Sequence, residues 1–70
     1  MRNQIRCEYF SDDMGNQATV IEDEVIELWR QPKRKQNFIH IRINDGQDQG
    51  PMISYEYAVK YLSNLGYFRS

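Results

Sequence analysis

The stretch Glu24 to Asn44, EVIELWRQPKRKQNFIHIRIN, decides the fold. Apolar and polar residues alternate on both sides of a basic centre, the pattern of two strands joined as a β-hairpin. Pairing Gln31 with Gln36 across the loop Pro32-Lys33-Arg34-Lys35 sets Leu28 opposite Ile39 and Ile26 opposite Ile41, which makes one wholly aliphatic face. The other face then pairs Trp29 with Phe38, Glu27 with His40 and Val25 with Arg42. Directly opposed side chains are the unit of sheet stability, and a slip by one residue would exchange the two faces.

Upstream, Arg2 to Phe10 also alternates, with Ile5, Cys7 and Tyr9 on one side and Arg6, Glu8 and Phe10 on the other. The turn formers Ser11-Asp12-Asp13-Met14-Gly15-Asn16 end that strand, and the chain returns through Gln17 to Ile21. Pairing Cys7 with Val20 and Tyr9 with Ala18 adds small apolar residues to the inner face. Thr19 to Gln31 also fits a helical stripe, with Thr19 and Glu22 as a capping box. The strand reading is preferred for Val25 to Arg30, because it alone accounts for the matches with Phe38 to Arg42. It requires a bend or bulge near Glu22-Asp23-Glu24.

Downstream, Asn44 to Pro51 carries Asp45-Gly46, Gly50-Pro51 and no apolar side chain, so it reads as a loop. A helix follows, with Ser54 as N-cap, Glu56 in the first turn and Gly66 as the stop. Tyr55, Ala58, Val59, Leu62 and Leu65 form its apolar stripe, Glu56 and Lys60 pair on its outer side, and Tyr67 packs back against Leu62. The expected fold is α+β: one domain over residues 1–70, a small antiparallel β-meander of three to four strands with one C-terminal α-helix packed on one face. The helix is expected to cover Ile5, Cys7, Ile26, Leu28, Ile39 and Ile41. Trp29, Phe38, His40, Arg42, Arg6 and Phe10 are left on the open face.

Composition sets further bounds. Hydrophobic residues make up 40% of the chain and charged residues 27%, which is globular rather than disordered usage. The net charge of −1 argues against coating nucleic acid or membrane by charge alone. Charge is segregated, with Glu22, Asp23, Glu24 and Glu27 preceding Arg30, Lys33, Arg34, Lys35 and Arg42. Cys7 is the only cysteine, so there is no internal disulfide and no cysteine-based zinc site. No signal-type apolar run follows Met1 and no stretch is long enough for a bilayer, so a cytoplasmic location is expected.

No catalytic constellation emerges. The single histidine, His40, has Glu27 as a structural partner, and no nucleophile or second acid can be placed beside it. Asp12, Asp13 and Asn16, like Asp45 and Asp48, lack the spacing of a calcium loop, so no metal or cofactor is expected. The expected function is a non-enzymatic interaction module, a regulator or inhibitor that binds a larger protein. Its contact residues would be Trp29, Phe38, His40 and Arg42 on the open face and Tyr57 and Tyr61 on the helix edge, and the same surfaces would support a homodimer. The alternative is RNA or single-stranded DNA held by Arg30, Lys33, Arg34 and Lys35 with the adjacent aromatics.

Overall fold

A computed structural model describes residues 2–27, 29 and 34–70. It is an α+β fold in which one C-terminal helix packs on an antiparallel sheet of five strands in the order β4-β3-β2-β1-β5. The strands are β1 (Arg2–Ser11), β2 (Gln17–Glu27), β3 (Arg34–Ile43), β4 (Asp48–Met52) and β5 (Phe68–Arg69), and the helix α1 spans Tyr55–Asn64.

The central strand β2 is continuous and pairs on both sides, so one apolar pair, Ala18 and Val20, serves both hairpins. Ala18 meets Phe10 of β1 and Ile43 of β3, and Val20 meets Glu8 and Ile41. Ile41 therefore faces Val20 rather than Ile26, six positions away from the register expected from the sequence. Phe38 stands opposite Asp23, His40 opposite Ile21 and Arg42 opposite Thr19, while Glu27 pairs with Arg34. The energetic reason is burial, because this register puts Val20 and Ala18 beside the β3 isoleucines under the helix. An even shift preserves the faces, so Ile39 and Ile41 still point toward α1. The expected pairs of Leu28 with Ile39 and Gln31 with Gln36 involve residues outside those described, and Ile39 and Gln36 in fact pair with Glu22 and Val25.

In the first hairpin the register differs by one, so its faces are exchanged. Cys7 pairs with Ile21, Tyr9 with Thr19 and Phe10 with Ala18. The turn decides this. The Asp12 carboxylate accepts from the main-chain N–H groups of Met14 and Asn16 at 3.0 and 2.8 Å, and the Asp12 N–H donates to the Asn16 carbonyl at 3.1 Å. Fixing Asp12 against Asn16 sends Phe10 into the core and Cys7 and Tyr9 to the opposite face. Arg6 likewise lies on the helix side, and Ile5 is half exposed at an irregularity between Gln4 and Arg6. β2 itself runs on without the bend or bulge expected near Glu22 to Glu24, and the irregularity belongs to the partner strand β1.

Residues 44–51 are not simply a loop. Asn44 and Asp45 both have positive φ, and the Gly46 N–H donates to the Ile43 carbonyl at 2.9 Å, which makes a tight hairpin turn into β4. Pro51, after a cis bond from Gly50, is tolerated because β4 is an edge strand. The helix begins as expected, with the Ser54 hydroxyl accepting from the Tyr57 N–H at 3.0 Å. It ends in a Schellman motif. Gly66 takes φ +94°, its N–H donates to Ser63, and the Tyr67 N–H donates to Leu62. Tyr55, Ala58, Leu62 and Tyr67 close over Phe10, Ala18, Val20, Ile39 and Ile41 as one core. Leu65, expected in the stripe, is 53% exposed.

The core occupies one end of a long molecule, 48 × 20 × 17 Å. Ten helical residues span only about 15 Å, so α1 cannot cover the full length of β2 and β3. Ile26, expected beneath the helix, lies outside the core on the projecting arm where Glu24 pairs with Asn37 and Ile26 with Lys35.

Candidate functional site

The sheet face turned away from α1 carries Cys7 and Tyr9 of β1, Ile21, Asp23 and Val25 of β2, and Phe38, His40 and Arg42 of β3, as the ladder alternation requires. It is not uniformly open. Ile21, Asp23 and His40 are buried on it although no helix lies there. The His40 imidazole is held between two carboxylates. Its Nε2 is 3.0 Å from Asp23 Oδ2, and its Nδ1 is 3.2 Å from Asp48 Oδ2 without hydrogen-bond alignment. Arg42 donates from Nε to Asp48 Oδ1 at 2.8 Å, and this bond holds the Asp48 carboxyl below its ordinary range. Beside this cluster, Phe38, Ile39, His40, Asp48, Gly50 and Pro51 line a hollow of about 200 Å³. The arrangement ties β2, β3 and β4 together. The histidine is a fastening inside the sheet, and its expected partner Glu27 lies elsewhere on the ladder.

Trp29 stands past the last ladder pair and is 76% exposed, so it does not stack on Phe38, which is half-buried opposite Asp23. Arg30 and Lys33 lie outside the described residues. Arg34 and Lys35 belong to β3 rather than to a loop, and Lys35 Nζ pairs with Glu24 Oε2 at 3.1 Å. The basic centre is thus partly neutralised by the acidic run across the ladder. On α1, Tyr57 and Tyr61 do come together and with Lys60 and Asn64 line a shallow hollow of about 180 Å³. Tyr57 is half exposed and Tyr61 packs against the core margin. Among the described residues no ion pair joins Glu56 to Lys60, which were expected to pair.

A polar cluster not expected from the sequence lies where α1 meets β1 and β5. Tyr55 donates its phenol to Glu8 Oε1, Arg69 donates from Nε to Glu8 Oε2 at 2.8 Å, and Arg6 Nη2 lies 3.4 Å from Oε1. The Arg6 guanidinium stacks 3.6 Å above the Tyr55 ring. No sequence signal points to this cluster, because its members are up to 61 residues apart. Among the described residues no three His, Cys, Asp or Glu side chains gather as metal ligands, and no helix is long and apolar enough to cross a membrane. No protein-family model, no curated protein and no solved structure matches the chain.

Proposed function

We propose that this chain is a non-enzymatic interaction module that binds a larger protein, as a regulator or inhibitor, through the part of its sheet that α1 leaves uncovered. The arm in which β1, β2 and β3 run on past the core, with Trp29 exposed at its end, carries this reading. Strands beyond a core bury little and are marginal by themselves, so an arm of this kind gains stability when a partner covers it. A protein is the occupant favoured over nucleic acid because Lys35 is paired with Glu24 and the net charge is −1. The burial of His40 between Asp23 and Asp48 supports a structural rather than a catalytic role for the one histidine.

The test is capture from host extract by wild-type protein and by Trp29→Ala and Phe38→Ala variants, with the single tryptophan's emission followed as the captured partner is added back. One defined protein that both substitutions release, and that shifts the Trp29 emission, is the expected result. Salt-dependent retention of single-stranded RNA instead would transfer the arm to the nucleic-acid reading. A concentration-dependent dimer abolished by the same substitutions would make a second copy the occupant.

A further inference from the structure

We propose that the outer edge of β1, at Arg6 to Glu8, accepts an extended peptide segment by strand addition, with an acidic residue on the α1 side and an apolar residue on the opposite side. The proposal rests on the reading of the chain as a protein-binding module but concerns a different surface. Strand β5 pairs with β1 only at Phe10 and Ser11, and the Ser70 N–H adds one bond to the Tyr9 carbonyl at 3.0 Å. Among the described residues nothing pairs with that side of β1 beyond this point. Because the Tyr9 carbonyl points away from β2, strand alternation sends the Cys7 N–H and C=O the same way. The regular edge runs from there to the bulge at Ile5, so a segment of about four residues fits, in line with β5. Alternating main-chain donors and acceptors are met by one kind of ligand, another extended chain.

The side chains beside the edge specify its chemistry. On the α1 side Arg6 and Arg69, both more than half exposed, share the single carboxylate of Glu8. Two guanidiniums on one anion leave room for a second carboxylate, which would gain charge-assisted hydrogen bonds. On the other side Tyr9 is 67% and Phe68 60% exposed, with Cys7 half-buried beside Tyr9. Register places Phe68 opposite Ser11 on the same side as Tyr9, so Tyr9 borders the path of an added strand and Phe68 extends the apolar surface behind it. A second copy of this chain is the weaker occupant, because its own Glu8 is already engaged by Tyr55 and Arg69.

The experiment titrates isotope-labelled full chain with two synthetic pentapeptides, one alternating valine with glutamate and one alternating valine with lysine. Binding is read by anisotropy and amide exchange is followed at Cys7. The expected result is protection of the Cys7 amide by the glutamate peptide, which binds roughly tenfold tighter than the lysine peptide. The Arg6→Glu, Arg69→Glu double variant should reverse that order. Cys7→Pro should abolish binding of both peptides, since proline at an outward N–H is tolerated in an edge strand. Should that variant unfold, protection of the wild-type Cys7 amide decides alone. Equal affinity for the two peptides, no binding at millimolar concentration, binding without Cys7 protection, or Cys7 protection that rises with protein concentration alone would each overturn the proposal. Partner capture through Trp29 is read separately, so either result stands without the other.

Discussion

Tyr55, on the first turn of α1, donates its phenolic proton to the carboxylate of Glu8 on β1 and so fastens the helix start to the sheet. Burial first, and the Glu8 hydrogen bond second, push the phenol up from 10.0 to about 12. The same hydrogen bond, followed by that from Arg69, holds Glu8 below its ordinary 4.5. A phenol raised above its unfolded value gives a contribution that is complete below pH 10.0 and lost as pH rises toward 12. A carboxyl held low gives one that is present above pH 4.5 and lost as pH falls through its folded value. Tyr55→Phe should cost about 1–2 kcal/mol at neutral pH in urea unfolding and remove the alkaline loss of stability. An unchanged alkaline limb in the variant would show that another group controls it.

The apolar stripe of α1 is narrower than its sequence suggests, and two leucines three residues apart should therefore respond differently. Leu62 is fully buried, and Leu62→Ala should cost about 2–5 kcal/mol through lost burial and the cavity left behind. Leu65 is the C-cap residue and 53% exposed, so Leu65→Ala should stay within about 0.5 kcal/mol. Denaturant midpoints of the two variants compare them directly.

The faces of β3 were legible in the sequence because alternation has period two. The register of β3 on β2 was not, because registers that differ by an even number present the same faces. Pairing Ile41 with Ile26 or with Val20 is equally aliphatic, and only the position of the helix distinguishes them. In the first hairpin the deciding group was one side chain, the Asp12 carboxylate, whose three hydrogen bonds fix the turn. Strands β4 and β5 escaped notice because DQGPM and FR carry no alternation and are placed by backbone pairing at the two edges. Tyr57 and Tyr61 were found because helical spacing alone brings them together. The carboxylates around His40 were not, since Asp48 reaches it only once β4 is in place.

Gly50 of β4 lies directly against the β3 backbone. A Cβ there would lie 3.0 Å from the Ile39 carbonyl oxygen and 3.3 Å from the His40 Cα, and φ is +140°. Both neighbours are backbone and cannot step aside cheaply. Gly50→Ala should therefore detach β4 and with it the contact of Asp48 with His40, while the core under α1 persists. Amide exchange should accelerate at residues 48–52 and stay slow at Val20 and Ile41. A variant in which β4 amides remain as protected as in the wild type would contradict this packing.

The register of the long hairpin is open to a double-mutant cycle, because the two pairings couple different residues. Phe38 stands opposite Asp23, and Trp29 lies two residues past the Glu27–Arg34 pair, which is itself four ladder positions or roughly 13 Å further along the strand. Trp29→Ala and Phe38→Ala should then add within about 0.5 kcal/mol, as separated sites do. Val20 and Ile41 are opposed and fully buried, so Val20→Ala and Ile41→Val should show a coupling of about 0.5 kcal/mol or more. The alternative register makes the opposite demand, since a directly opposed Trp29–Phe38 pair would itself couple by up to about 1 kcal/mol. Appreciable coupling of Trp29 to Phe38, with none between Val20 and Ile41, would move β3 by six residues along β2 and bring Ile26 back under the helix.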